Sequence, residues 1–303
     1  MSARRLDLKV GFACNNLCRF CAQGDKRRSL RAIPGKELAQ KLLHGRDQAR
    51  GGLVLTGGEP AMHDEILALV RLAKGLGYAP IQLQTNGRLL SLPRVLHAFL
   101  QAGVTEISPS LHGPTAEVHD ALTRAPGSFE QSARGIANSI AAGVPVVTNS
   151  VITRDNVDVL DQLVDLLASL GVRRAQLAFV HPVGTAWEHF DDVVPRLPRV
   201  RQALAPALHR ATLHGMDLVT EAVPLCFLSG MEHLAVEARI PLTTVMDLEG
   251  TVDYSAWRQA EGKAKGPPCE GCEHGSRCEG PWREYPERLG WDEFSPAASA
   301  SQT

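Results

Sequence analysis

Short apolar runs and longer amphipathic stretches alternate along this chain in a strand-then-helix rhythm. In the first run Leu6, Leu8 and Val10 share one face of a strand predicted over 6–11, and Asp7 and Lys9 share the other. Positions 34–48 follow as an amphipathic helix with Pro34 near its start. A fully apolar run at 53–56 has the character of a buried strand, and the helix predicted over 63–76 is stopped by Gly77. The same unit recurs as 81–85 with 91–102, 104–111 with 128–142, 144–152 with 156–170, and 175–181 with 197–214. Six such units argue a parallel sheet joined by right-handed crossovers, an α/β fold. Ser128 with Gln131 three residues on reads as a capping box.

Strand parity adds a second expectation. Gln82 and Gln84 alternate with Ile81 and Leu83, and Glu106, Ser108 and Ser110 alternate with Ile107, Pro109 and Leu111. If the apolar faces meet the helices, the polar faces point inwards and line a ligand-holding lumen; a solvated sheet face is the alternative.

Composition narrows the function classes. With 32 basic and 33 acidic residues in 303, mixed along the chain, there is no electrostatic footprint for nucleic acid or an anionic membrane. No apolar run approaches the roughly 20 residues that cross a bilayer, and no signal-peptide core follows Met1, so a cytoplasmic protein is expected. Seven Cys without a secretion signal point to metal or reactive thiols instead of disulfides.

The thiols divide as three plus four. Cys14, Cys18 and Cys21 stand at spacings of four and three just after the first strand. Three thiolates from one loop can hold three irons of a cubane cluster and leave the fourth open, whereas a structural zinc loop favours four ligands in paired spacings. Gly57-Gly58-Glu59-Pro60 ends the second strand, where glycines permit close backbone approach and Glu59 can accept from an ammonium. Later, Cys226 with Cys269, Cys272 and Cys278 supplies four more thiols, enough for a complete cluster or a zinc ribbon.

The C-x3-C-x2-C run with Phe20 before its last Cys resembles the signature of the radical SAM enzymes, and Gly57 to Pro60 resembles that family's second motif. The resemblance implies a partial (βα)6 TIM-like barrel over 1–216. It also implies a [4Fe-4S] cluster on Cys14, Cys18 and Cys21 whose open iron is chelated by S-adenosylmethionine (SAM), and reductive cleavage of SAM to a 5′-deoxyadenosyl radical that abstracts hydrogen from a substrate. Phe20 would pack on the adenine, the 57–60 turn would meet the amino group, and Asn86, Ser110 and Arg124 would contact ribose and carboxylate. The Cys269-x2-Cys272-x5-Cys278 run resembles the auxiliary-cluster SPASM domain, with a hairpin over 243–254. Ser255 and Trp282 stand where that domain has further Cys, so the resemblance implies a truncated, Twitch-like small Fe-S domain over 217–294. Its single auxiliary [4Fe-4S] cluster would rest on Cys226, Cys269, Cys272 and Cys278, and a disordered tail would occupy 295–303. His181 and Glu221, near the presumed mouth, are candidate substrate contacts.

The implied reaction is oxidation or crosslinking of a peptide or protein, supplied with electrons by an external one-electron reductant such as flavodoxin or ferredoxin. With a barrel beginning by Leu6, peptide recognition would fall to a separate protein or to none. Dehydrogenation of a small molecule is the alternative within the family, and a non-catalytic Fe-S carrier or redox sensor is the alternative outside it.

Overall fold

The computed structural model describes residues 4–24, 26–29, 32–47, 49 and 51–296. Seven parallel strands form its frame: β1 (Arg5–Lys9), β2 (Leu53–Thr56), β3 (Ile81–Thr85), β4 (Glu106–Pro109), β5 (Thr148–Ile152), β6 (Arg174–Phe179) and β7 (Asp217–Glu221). Regular pairing runs β1 to β4 and again β5 to β7. Between the two halves only the bridges Ile107↔Val146 and Ser110↔Asn149 continue it. Pro109, with no N–H to give, falls between those bridges. The result is the parallel α/β arrangement expected from the alternation, in the partial-barrel form that the resemblance implies.

One boundary differs from the sheet pairing. Segment 217–221, assigned above to the small domain, is β7 and pairs with β6 from Arg174↔Asp217 to Ala178↔Glu221, so the barrel sheet runs through Glu221. The small domain is also tied to the barrel's first strand. Its hairpin, β8 (Thr243–Met246) and β9 (Thr251–Asp253), turns at 247–250 as expected and lays β8 parallel to β1 from Arg5↔Thr243 to Leu8↔Met246. The tail assigned to 295–303 lies outside the described residues from 297 onward, as does Gln48 at the end of the first predicted helix.

The core has two parts. Leu6, Leu8, Leu53, Leu55, Ile81 and Leu83 face the helices Gly35–Gly45, Ile66–Gly75 and Pro93–Ala102. Leu177, Phe179 and Leu218 pack with Leu163, Val200, Leu204 and, from the small domain, Tyr285 and Phe294. Tyr285 is fully buried and its hydroxyl accepts from the Leu197 N–H at 2.9 Å, which fixes the start of the helix Leu197–Leu213.

The helix Ser128–Ala141 is not capped by Ser128 and Gln131. Gly127, in a left-handed conformation, precedes it, and Asp120 accepts from the Gly127 and Phe129 N–H groups at 2.6 and 2.7 Å and from Ser128 Oγ at 2.8 Å. A carboxylate from the preceding helix, Ala116–Thr123, thus replaces the local box. Gln131 instead accepts from Arg88 Nε at 2.7 Å.

Candidate active site at the barrel mouth

The Cys loop leaves the C-terminal end of β1 and is held on every side. Gly58 and Glu59 donate their N–H groups to the carbonyls of Gly11 and Ala13 at 2.8 and 2.7 Å. A Cβ on Gly57 would lie 2.2 Å from Gly11 O and one on Gly58 2.3 Å from Ala13 O. The paired glycines therefore bring backbone against backbone, seating the loop. Arg88 donates to Asn15 O and, at 2.8 Å, to Asn16 Oδ1, while Arg27 donates to Asn16 O at 2.6 Å. Thr185 Oγ1 reaches the carbonyls of Cys18 and Cys21 at 3.2 and 3.1 Å. None of these bonds uses the thiols.

The thiols themselves are half-buried and free. Burial raises Cys14 and Cys18 above an ordinary thiol, and repulsion from Cys21 adds to both; Arg27 pulls the other way. Three crowded, desolvated thiols favour deprotonation only when a cationic centre joins them, so the donor set fits an iron cluster. The Asn16 N–H points at Cys14 Sγ from 3.4 Å and Asn86 Nδ2 from 3.9 Å, the kind of contact that tunes a cluster's sulfurs.

Glu59 is held by three hydrogen bonds from the chain itself. It is 3% exposed and accepts from Ala61 N–H at 3.0 Å, Thr85 Oγ1 at 2.6 Å and Asn86 N–H at 2.7 Å. Burial pushes its carboxyl up, and these three bonds oppose the shift. Glu59 thus ties the end of β2 to the end of β3, with Pro60 opening a short helical turn behind it. Asn86 is held by that bond and donates to Asn15 Oδ1 at 2.6 Å, so it belongs to the Cys loop's frame.

Phe20 also turns inward: its ring is 8% exposed and stands edge-on to His112 at 4.7 Å between centroids. Arg124 is exposed and ends the helix Ala116–Thr123 in a left-handed conformation, where a loop was expected. Ser110 is half-buried, and its N–H donates to Thr85 O at 3.0 Å.

Behind Phe20 lie two buried histidines. His119 Nδ1 accepts from the His112 N–H at 3.0 Å, and His112 Nδ1 accepts from the Val151 N–H at 3.2 Å. Burial drives His112 well below its ordinary value and His119 down to about 4. A depressed histidine takes its proton more readily in the unfolded chain, so stability present above pH 6.5 is lost as pH falls towards 4. Lowered to about 4, His119 contributes roughly 3 kcal/mol to that loss. Chemical denaturation between pH 7 and 4.5 is expected to show a shallower decline for His119→Asn than for the parent.

The second thiol set closes on one cavity. Cys226, Cys269, Cys272 and Cys278 all line a space of about 410 Å³, counting its open mouth. Burial, with repulsion from the other three, pushes the Cys226 thiol up to about 12. Among the described residues no three His, Cys, Asp or Glu side chains close on a single metal ion. The two positions that depart from the SPASM pattern have packing work. Ser255 Oγ accepts from the Thr243 N–H at 2.9 Å, closing the base of the β8–β9 hairpin, and Trp282 is buried against His181, its ring 3.8 Å away and nearly parallel.

Inside the barrel the parity expectation holds for β3 and only in part for β4, where Glu106 and Ser110 are half-exposed but Ser108 is buried. β1, β3 and β5 alternate buried residues with half-exposed ones, and the half-exposed set comprises Asp7, Lys9, Gln82, Gln84, Asn149 and Val151 together with Arg5. Gln82 donates to Glu106 at 3.1 Å and Gln176 to Glu221 at 2.6 Å, rungs of a polar lining. His181 Nε2 stands 3.5 Å from Glu284 Oε2. Sequence reading missed Lys263, which is 5% exposed with Nζ 3.8 Å from the centre of the Trp282 ring. Burial lowers its amine to about 8, against Glu237, Glu221 and Glu279, which hold the charge. No spacing marks it, because its neighbours come from three separate segments.

Comparison with known proteins agrees with this geometry. An AdoMet-dependent heme synthase of Oleidesulfovibrio alaskensis is 31% identical over 186 residues, 61% of this chain and 47% of that protein. A "Probable GTP 3′,8-cyclase" of Saccharolobus solfataricus is 30% identical over 192 residues, 62% of this chain and 61% of that protein. The chain thus matches about half to three-fifths of these relatives. Among solved structures, Streptococcus suis SuiB bound to S-adenosylmethionine superposes with a TM-score of 0.69 at 15% identity, covering 98% of this chain and 77% of SuiB. The structure described as native anSMEcpe with bound AdoMet gives 0.57 at 16% identity, covering 71% and 64%. No helix of the described residues is long and apolar enough to cross a membrane. Residues 8–174, more than half of the chain, match the family described as "Radical SAM superfamily", and they carry the Cys loop and the turn that seats it: the chain belongs to that superfamily.

Proposed function

We propose that this radical SAM enzyme oxidises or crosslinks a peptide or protein segment that enters the polar lumen. The single observation that carries the reading is the convergence of Cys226, Cys269, Cys272 and Cys278 on one cavity in a domain whose hairpin is fastened to β1. Four protein thiols leave no open ligand position, which suits an electron acceptor better than a substrate-binding centre. When bound, the iron–sulfur cluster on Cys14, Cys18 and Cys21 supplies the electron that splits SAM and thereby the hydrogen-abstracting radical. The chain's own part is to seat that loop through Gly57, Gly58, Arg27 and Arg88, and to present a lumen wall on which the substrate is oriented. Removing one hydrogen atom and then one electron and one proton leaves the substrate oxidised by two electrons. The electron for SAM comes from an external one-electron donor of the flavodoxin or ferredoxin kind. Support for a peptide comes from the superposition on SuiB, which was also solved with the precursor peptide SuiA.

A second reading is dehydrogenation or rearrangement of a small molecule. It is favoured by the higher identity to the heme synthase and GTP cyclase relatives. The test is anaerobic reconstitution with iron and sulfide, then reduction with dithionite in the presence of SAM. Formation of 5′-deoxyadenosine is expected, accelerated by peptide and accompanied by loss of two hydrogens from it. Acceleration by GTP or a porphyrin precursor, and not by any peptide, would favour the second reading.

A further inference from the structure

The cavity on which Cys226, Cys269, Cys272 and Cys278 converge is poor in charge. Besides the thiols its lining is made of prolines, glycines, Phe294, Ser295, His274 and Lys265. His274 is buried, and its Nδ1 accepts from Arg277 Nη2 at 3.1 Å. A guanidinium only donates, so that bond keeps the imidazole neutral. Glu232 and Glu273 stand 3.8 and 3.7 Å from the other ring nitrogen, and neither they nor Arg277 line the cavity. Among the described residues that line it, Lys265 is therefore the one side chain other than the thiols to bring a formal charge.

Lys265 is exposed but tethered. Its Nζ donates to Gly275 O at 2.6 Å, between Cys272 and Cys278, and the Gly275 N–H donates to Cys272 O at 2.8 Å. No carboxylate among the described residues pairs with this ammonium. Lys263 also acts on Cys278, but Glu237, Glu221 and Glu279 hold its charge.

An iron–sulfur centre on four thiolates carries one more negative charge than a centre on three, which makes a further electron harder to accept. A cation fixed to the ligand loop offsets this, because it attracts the reduced centre more strongly than the oxidised one. The N–H groups of Leu225 and Gly280, 3.5 and 3.4 Å from Cys278 Sγ, act in the same direction.

We infer that Lys265 raises the reduction potential of the four-thiol centre, so that this centre can take the electron left on the substrate radical. The radical gives one electron to the centre and one proton to solvent, and the centre passes the electron to an external one-electron carrier. This rests on the auxiliary-cluster reading proposed above and deepens it. Lys265 touches no reacting atom; it is a positioning residue that acts through the centre's charge balance.

The test is a potentiometric titration followed by electron paramagnetic resonance on the full chain carrying Cys18→Ala, reconstituted with iron and sulfide so that only the four-thiol set is filled. About four irons per chain are expected. In that background Lys265→Met and Lys265→Gln should each shift the reduction equilibrium threefold to tenfold towards the oxidised form, a midpoint lower by about 28–59 mV. Gln keeps a donor for Gly275 O and loses only the charge, so similar shifts in both variants separate charge from tether. Lys265→Arg should restore the midpoint. Because the ammonium is exposed, the gap between Lys265 and Lys265→Met proteins should narrow between about 0.01 M and about 1 M salt. A midpoint unmoved in both neutral variants, or moved by Met and not by Gln, would overturn the role of the charge and leave the auxiliary cluster standing. Absence of iron, or zinc in its place, would overturn the auxiliary-cluster reading and this inference with it.

Discussion

Replacing Cys18 by Ala is expected to abolish 5′-deoxyadenosine formation, while Cys272→Ala leaves it largely intact and stops formation of the oxidised product. The asymmetry follows from the proposal that the two thiol sets serve different steps. Cys18 is one of only three ligands that the Cys loop offers, and its backbone carbonyl is already fixed by Thr185. Two remaining thiols cannot keep a cubane. Cys272 belongs to the set lining the separate cavity with Cys226, Cys269 and Cys278, remote in sequence from the loop of Cys14, Cys18 and Cys21. Iron content distinguishes the two: each variant should lose roughly four of about eight irons per chain, yet only Cys18→Ala should lose SAM cleavage. Equal deoxyadenosine yields from both variants would remove the basis for assigning the N-terminal loop as the SAM site.

The second large effect is expected from a methyl group. In Gly58→Ala the added carbon would meet Ala13 O at 2.3 Å, Phe12 O at 2.5 Å and Phe12 C at 2.6 Å. All three are backbone atoms, which cannot rotate away as a flexible side chain would. The segment that carries the chain into Cys14 must then shift, and the bonds from Gly58 and Glu59 to Gly11 and Ala13 must lengthen. Overpacking of this kind costs about 1–3 kcal/mol. The fold should survive that cost, but the thiol geometry should not. Iron incorporation at the loop and deoxyadenosine formation should fall at least a hundredfold, with a melting temperature lowered by only a few degrees. A Gly58→Ala protein with full iron and normal turnover would show that the close approach does not position the loop.

Much of this site was legible in the chain before any fold was known. The spacing of Cys14, Cys18 and Cys21 is a local property, and so is its place after an alternating strand. Parity located part of the polar lining, since a strand's two faces are written in every second residue: Gln82 and Gln84 on β3 are half-exposed as expected, while Ser108 on β4 is buried. Roles within the site were less legible. Spacing did not show that Glu59, at the end of β2, would accept from Thr85 and Asn86 at the end of β3. Nor did it show that Phe20 would stand edge-on to His112. The helix from Ser128 was expected to cap itself and is capped by Asp120. In each case the residue type was right for more than one partner, and sequence does not say which partner will be near.

The sequence by itself determined the strand-and-helix rhythm, the two thiol sets and the polar face of the strands, because periodicity and spacing act over a few residues. Tertiary structure alone decided that β8 would lie along β1, that β7 would continue the barrel, and that Lys263 would be buried between Trp282 and carboxylates from three distant segments. Those outcomes depend on which surfaces meet once loops of tens of residues have closed. A buried charge is tolerated only where the completed fold supplies its compensation.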